Sequence, residues 1–248
     1  AQAWFPDLQP EGCTTYYSFY SQKDAWFKGV LAILDFPVEG IIQRPIEELN
    51  TRREELSPVA TADGKRLYFA RTNLMGTSSG EDIALSTKVD GKWSEPEVVQ
   101  SLSSGGNEAP LALTADGRSM LLFQDGRLFM SQYRRGKWQR PDTLAGNWND
   151  LKWVGKATLS SDGSILILEG SRERWETSSS SNTDLYICKR GKKGVWSKPV
   201  RLPRPINTSR RERSPFLHTD GRTLYLSSDG HQGLGGMDMY RTTRVGDG

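Results

Sequence analysis

One segment recurs four times in this chain, and that recurrence limits the fold more than any single residue does. SPVATADGKRLYFA at 57–70, APLALTADGRSMLLF at 109–123, KATLSSDGSILILEG at 156–170 and SPFLHTDGRTLYLSS at 214–228 each carry an Asp-Gly pair between two apolar runs. The pairs are Asp63-Gly64, Asp116-Gly117, Asp162-Gly163 and Asp220-Gly221, spaced 53, 46 and 58 residues apart. Asp-Gly in that setting predicts a hairpin, because Gly accepts positive φ and Asp bonds its local backbone. After each glycine, Leu67, Met120, Leu166 and Leu224 hold one strand phase, and Phe69, Leu122, Leu168 and Leu226 repeat it two residues later. Residues two apart share a strand face. Tyr68, Leu121, Ile167 and Tyr225 fall on the other face, so each sheet needs apolar cover on both sides.

Two further landmarks keep the same order. Asp82-Ile83-Ala84-Leu85, Arg127-Leu128-Phe129-Met130, Asp184-Leu185-Tyr186-Ile187 and Asp238-Met239-Tyr240 each open a third strand. Trp93-Ser94-Glu95-Pro96, Trp138-Gln139-Arg140-Pro141 and Trp196-Ser197-Lys198-Pro199 mark an outer strand. There Trp offers apolar surface to a neighbouring blade and Pro suits an edge. Four strands in roughly 50 residues, repeated, predict an all-β fold, a β-propeller of four-stranded blades. The repeats occupy 57–104, 105–153, 154–207 and 208–248. Residues 1–56 hold aromatic and apolar runs at 14–20 and 25–36, read as part of a fifth blade. The expectation is therefore a single propeller domain over 1–248 with five blades, six being the alternative. The fourth repeat has no Trp-x-x-Pro strand. Either the N-terminal strands complete the ring or sequence beyond Gly248 does, and the second expectation is an excerpt of a longer multidomain protein. Helical signal is confined to 45–53.

Charge and composition narrow the function classes. Lys+Arg 33 against Asp+Glu 30 leaves a net charge of +3, too small to imply a nucleic-acid partner. No apolar run is long enough for a membrane-spanning helix. Cys13 and Cys188 make neither a disulfide framework nor a zinc site, and one bridge between them stays open. The repeated Asp residues sit at turns, where a structural role already accounts for them, so they do not read as the paired carboxylates of a glycosidase. The sequence contains no G-x-S-x-G elbow, no phosphate loop and no EF-type calcium spacing. It therefore nominates no catalytic residue, no cofactor and no metal ligand.

A binding surface is easier to nominate. The Asp-Gly and Arg-Gly turns are short, whereas the segments 71–81, 170–183 and 228–237 and the connectors before repeats one and four are long and varied. Function gathers on long loops of a rigid scaffold. The candidate interaction face is Arg52, Arg53, Arg71, Arg172, Arg174, Trp175, Arg210, Arg211 and His231. Trp175 reads either as a partner anchor or as a ring folded over its own blade. The arginines read either as contacts for an acidic partner or as mates of Glu54, Glu55 and Glu212.

The string Ile206-Asn207-Thr208, Glu212-x-x-Pro215, Asp220-Gly221-x-x-Leu224-Tyr225 and 227–240 (SSDGHQGLGGMDMY) resembles the WD40-like PD40 repeats of TolB-type propellers. The resemblance covers 45–241 and is closest to propeller domains of Bacteroidetes OmpA-associated envelope proteins of the type IX secretion system. It implies a periplasmic, outer-membrane-associated, non-catalytic protein-interaction scaffold whose partners are envelope proteins. Peptidoglycan would be bound only through a domain outside this chain. The alternative is a carbohydrate or peptidoglycan-fragment binding module, with Trp175 stacking on a sugar and arginines reading carboxylates. Arg127 stands where the other repeats have Asp, and the connector before repeat three is degenerate.

Overall fold

The computed structural model describes residues 46, 48–50, 54–72, 80–104, 106–144, 146, 150–173, 182–233 and 236–244, together with 17–20 and 29–33 as backbone strands. The N-terminal strands are β1 (Tyr17–Tyr20) and β2 (Gly29–Ile33). Repeat one folds as β3 (Glu55–Ala60), β4 (Arg66–Thr72) and β5 (Glu81–Val89), with an outer strand split into β6 (Lys92–Trp93) and β7 (Glu97–Val98). Repeat two gives β8 (Glu108–Leu113), β9 (Ser119–Gln124) and β10 (Arg127–Arg134), with β11 (Lys137–Trp138) and β12 (Asp142–Thr143) outside. Repeat three gives β13 (Trp153–Leu159), β14 (Ile165–Ser171), β15 (Asp184–Lys189) and β16 (Val200–Arg201), and repeat four gives β17 (Glu212–Leu217), β18 (Thr223–Ser228) and β19 (Asp238–Thr243). The chain divides into two compact units. Residues 44–146 and 161–164 hold the first two sheets, and residues 1–43, 147–160 and 165–248 hold the other two.

The five-blade expectation, and its six-blade alternative, are overturned. The described residues form four antiparallel sheets, and the N-terminal strands found no fifth. Instead β2 pairs antiparallel with β19 through Tyr240↔Ile33, Arg241↔Ala32 and Thr242↔Leu31, and β1 lies outside β2. The fourth sheet therefore runs β1-β2-β19-β18-β17. Its missing outer strand is supplied from the other end of the sequence. A bare β19 edge would leave a row of unpaired backbone groups, and a strand from the N-terminus satisfies them. An aromatic run looks the same whether it founds a sheet or finishes one.

Two kinds of turn carry the Gly landmarks. Asp90-Gly91, Asp125-Gly126 and Arg135-Gly136 have both residues at positive φ, the two-residue hairpin turn that matches strand twist. At the four repeated Asp-Gly pairs only the glycine is left-handed, and the hairpin is wider than the sequence alone suggests. In the first, the Thr61 N–H donates to the Arg66 carbonyl at 3.0 Å and the Gly64 N–H to the Thr61 carbonyl at 2.9 Å. The Asp63 carboxylate accepts from the Thr61 hydroxyl at 2.5 Å and from the Lys65 N–H at 3.0 Å.

The leading prolines also acquire a reason. The first strand of every repeat shifts register, between Leu56/Val59, Pro110/Ala112, Val154/Ala157 and Arg213/Phe216. Pro58 and Pro215 fall inside such bulges, where no ladder N–H is required. Ser57 and Ser214, just before them, take φ of 51° and 49°.

Each unit has its own core. In the first-and-second-sheet unit, Tyr68, Ile83, Leu102, Met120, Leu122 and Trp138 pack together, and the Trp138 indole N–H donates to the Tyr68 hydroxyl at 3.2 Å. On the other face of the first sheet, Leu49, Phe69 and Ala84 pack with Leu67 and Trp93. In the third-and-fourth-sheet unit, Ile167, Leu185, Ile187, Leu217, Leu224, Leu226 and Tyr240 form the core. Trp138 and Trp196 are buried and Trp93 is half-buried, so the tryptophan landmark serves packing. The helical signal amounts to a turn at Ile46, whose carbonyl accepts from Leu49 and Asn50.

Candidate functional site

The residues nominated from the sequence do not gather into one site. Arg52, Arg53, Arg174 and Trp175 lie outside the described residues. Arg71 pairs with Glu55 at 3.2 Å across β3 and β4. Arg172 bonds the Tyr186 phenol. Arg210 is exposed, and its backbone N–H donates to the Thr208 hydroxyl at 3.0 Å. Arg211 grips Asp229 with Nε at 2.9 Å and Nη2 at 2.7 Å. The His231 Nε2 lies 3.2 Å from the Ile206 carbonyl and its ring 4.8 Å from that of Tyr240. Burial depresses its pKa, so the ring is neutral and braces its own blade.

The residues of the repeat string form a buried polar joint. Asn207 is fully buried. Its side chain accepts the Leu185 N–H at 2.7 Å and donates to the Leu185 and Leu202 carbonyls at 2.8 and 2.7 Å. Glu212 accepts the Thr208 N–H at 2.9 Å, the Thr208 hydroxyl at 2.6 Å and the Ser228 hydroxyl at 2.9 Å. Burial pushes its carboxyl up, and these bonds pull the other way. Repeat two rebuilds the joint with different residues. Ser103 accepts the Ile83 N–H at 3.1 Å, Glu108 accepts from the backbone and hydroxyl of Ser104, and Asp125 accepts the Asn107 N–H at 3.1 Å. These motif residues hold the connector to its sheet.

Glu169 escaped the sequence reading. It is 3% exposed, accepting from Arg213 Nε at 3.0 Å and from the Ser214 N–H at 3.2 Å. Burial raises its pKa despite both bonds. The available signal was positional: Ala70, Phe123 and Ser227 stand at the same point in the other repeats.

A cleft of about 730 Å³ opens in the unit formed by 44–146 and 161–164. Its walls are the turns 61–63, 115–118 and 133–136, together with Arg66. This is the short-turn end of the sheets, away from the long loops favoured by the sequence, and it contains none of the nominated residues. The exposed guanidinium groups of Arg66 and Arg118 lie in the field of Asp63 and Asp116 without hydrogen-bonding them, and those of Arg134 and Arg135 make no hydrogen bond or ion pair among the described residues. Two carboxylates share the wall. The Thr61 hydroxyl and the Lys65 N–H hold Asp63 below the ordinary carboxylate range, and the Thr114 hydroxyl and the Arg118 N–H do the same for Asp116. Both are ionised and turned into their own hairpins. Tyr133 is half-buried, its hydroxyl donating to the Gly136 carbonyl at 2.8 Å and its ring meeting Trp138 edge-on at 5.2 Å. Arg135 has a φ of 52°. In the matching turn of repeat one that conformation belongs to Asp90, a residue type that tolerates it far better than a long side chain does.

Among the described residues, no group of three or more His, Cys, Asp and Glu could hold a metal ion. Cys188 carries a free, buried thiol pushed up to about 12 by burial. Cys13 lies outside the described residues.

No protein-family model and no curated protein matches the sequence. Solved structures do match. The native arabinanase of Bacillus subtilis is 12% identical with a TM-score of 0.52, covering 90% of this chain and 87% of that one. An oligogalacturonate lyase in complex with manganese is 13% identical with a TM-score of 0.50, covering 92% of this chain and 57% of that one. A TolB structure from Agrobacterium tumefaciens is 16% identical with a TM-score of 0.40, covering 73% and 72%. The chain spans only 54% and 57% of two oligogalacturonate lyases that it matches. At these identities the likeness concerns the fold alone: all-β, of β-propeller type, built of four-stranded antiparallel sheets.

Proposed function

We propose that this protein is a non-catalytic module that binds an acidic carbohydrate in the arginine-lined cleft. The observation that supports the reading is the set of four exposed guanidinium groups around a cavity of about 730 Å³, none of them hydrogen-bonded to a carboxylate among the described residues. That volume suits a small ligand, for which pockets run about 300–1,000 Å³. A guanidinium fork binds a carboxylate through two parallel hydrogen bonds, giving geometry as well as charge. Tyr133 adds an aromatic wall for a sugar face. Asp63 and Asp116 are both committed to their turns as acceptors, so the reading assigns them no proton transfer.

Calorimetric titration tests it. Oligogalacturonate, for which two of the similar lyases are named, supplies a carboxylated probe; muropeptides and a neutral arabinan oligosaccharide complete the set. Saturable binding of the acidic ligands, weakened at least about tenfold in the Arg118→Ala/Arg134→Ala protein, is expected. Flat heats with every acidic ligand at millimolar concentration would sink the reading.

One observation favours a second reading, a protein-interaction scaffold of the cell envelope. Tyr68, Ile83, Ile167 and Leu185 are all buried beneath the next sheet of their own unit. On the matching face of the fourth sheet, Phe216 is 55% and Met239 48% exposed, with Tyr225 6.2 Å from Phe216. The occupant of matching shape is another sheet of this repeat type. The PD40 kinship, the periplasmic, outer-membrane-associated placement and type IX secretion partners belong to this second reading. Affinity purification of the native full-length protein, wild type against Phe216→Asp, tests it. Loss of a stoichiometric repeat-bearing partner supports the scaffold, and an unchanged partner set removes it.

A further inference from the structure

We infer that the cleft recognises a pair of carboxylates on neighbouring sugars, and discriminates against neutral or singly acidic saccharides. The inference rests on the carbohydrate reading of the same cleft and gives it a valence. Four guanidinium groups against the carboxylates of Asp63 and Asp116 leave two positive charges unneutralised on the cleft wall. Asp63 and Asp116 offset the guanidinium groups of Arg66 and Arg118 through space without hydrogen-bonding them, which leaves the forks of all four arginines open. Asp63 accepts from Thr61 and Lys65, and Asp116 from the Thr114 hydroxyl at 2.6 Å and the Arg118 N–H at 2.9 Å. Their carboxylates stay charged and face their own turns, so they would also repel a third acidic group.

Donor counting points the same way. One guanidinium offers about five N–H donors and one carboxylate about four acceptor sites, so a single acid group satisfies at most two of the four forks. The forks also arise from separate places. Arg66 and Arg118 follow the first hairpins of their repeats, and Arg134 and Arg135 belong to the β10–β11 turn. Two anchors on different walls suit two acid groups held apart by a sugar ring. Arg135 strengthens the assignment, because a left-handed arginine is strained in a turn where repeat one uses Asp90.

Two sources share this chemistry: uronate polymers, and peptidoglycan glycan strands bearing lactyl carboxylates. The experiment titrates the wild-type protein with mono-, di- and trigalacturonate, with methyl-esterified digalacturonate, and with a muropeptide carrying two acid groups. Affinity should rise at least about thirtyfold from one uronate to two, and by less than about threefold from two to three. Esterification should abolish the gain. Arg134→Lys, which keeps charge and loses the fork, should weaken diuronate binding about fivefold with unchanged melting temperature. A muropeptide that outcompetes digalacturonate identifies peptidoglycan as the source, and the reverse identifies a uronate polymer. Equal binding of the acid and its ester would overturn the paired-carboxylate inference and leave the carbohydrate reading standing. Failure of every saccharide to bind would overturn both.

Discussion

Arginine does different work in the two units. In the unit holding the third and fourth sheets, Arg201 clasps Asp184 through Nε and Nη2 and also donates to the Thr208 carbonyl at 3.0 Å. Arg211 clasps Asp229, and Arg213 covers the buried carboxylate of Glu169. In the other unit Arg71 pairs with Glu55, but Arg66, Arg118, Arg134 and Arg135 surround a cleft with no carboxylate hydrogen-bonded to their guanidinium groups among the described residues. Paired arginines are part of the fold's own polar accounting. Unpaired arginines at a concave surface hold donors that only something from outside can satisfy. Substitutions in the first group should therefore act on stability, and substitutions in the second on binding.

The largest expected effect lies in the unit holding the third and fourth sheets. Glu212→Ala leaves the Thr208 N–H and the Ser228 hydroxyl without their acceptor, and should destabilise by about 3 kcal/mol. Urea unfolding would show it; a loss no greater than that of a cleft variant would break the comparison. Arg213→Ala comes next, at about 2–3 kcal/mol, because it strips the cation from a buried carboxylate.

The pH dependence sharpens the same contrast. Burial raises Glu169 above its ordinary value of 4.5. Its contribution to stability is complete below that value and is lost as pH rises through the folded-state pKa. The melting temperature of Glu169→Gln relative to wild type should therefore climb from pH 4.5 upward. A pH-independent difference would deny the shift. Asp220 behaves oppositely. Burial pushes its carboxyl up, but the N–H groups of Thr223 and Arg222 outweigh that and hold it far below 3.8. Its contribution is present above 3.8 and disappears as pH falls through the lower folded value.

At the cleft, Arg118→Ala/Arg134→Ala should move stability by no more than about 0.5 kcal/mol while weakening diuronate binding about ten- to a hundredfold. The smallest effect on stability is also the most telling. Arg135→Asn should gain about 0.5 kcal/mol, because Asn accepts the left-handed turn more readily, and should lose affinity at the same time. A gain in stability with unchanged binding would remove Arg135 from the site.

Much of the fold was legible in one dimension. Asp-Gly, Trp-x-x-Pro and the two-residue alternation placed β3–β5, β8–β10, β13–β15 and β17–β19 close to where they lie. Trp138 and Trp196 proved to be packing residues, as expected from their outer-strand position. The aromatic runs at 14–20 and 25–36 read as strand-forming; they do not start a fifth blade, and β2 instead supplies the outer strand that the fourth repeat lacks, the closure the sequence left open as one of two routes. The cleft was not legible, because Arg66, Arg118 and Arg134-Arg135 look like ordinary flanks of solvated hairpins. Glu169 was equally silent, because nothing near it in sequence announces that Arg213 lies opposite.

What the chain determined by itself is local: hairpins, turn residues and strand faces follow from the spacing of a few residues, since φ preference and side-chain alternation act over two to six positions. What only the tertiary structure decided is which distant strand satisfies an open edge and which charges find a mate. Pairing of β2 with β19 spans about two hundred residues, and the gathering of the four cleft arginines depends on distances that no local pattern encodes.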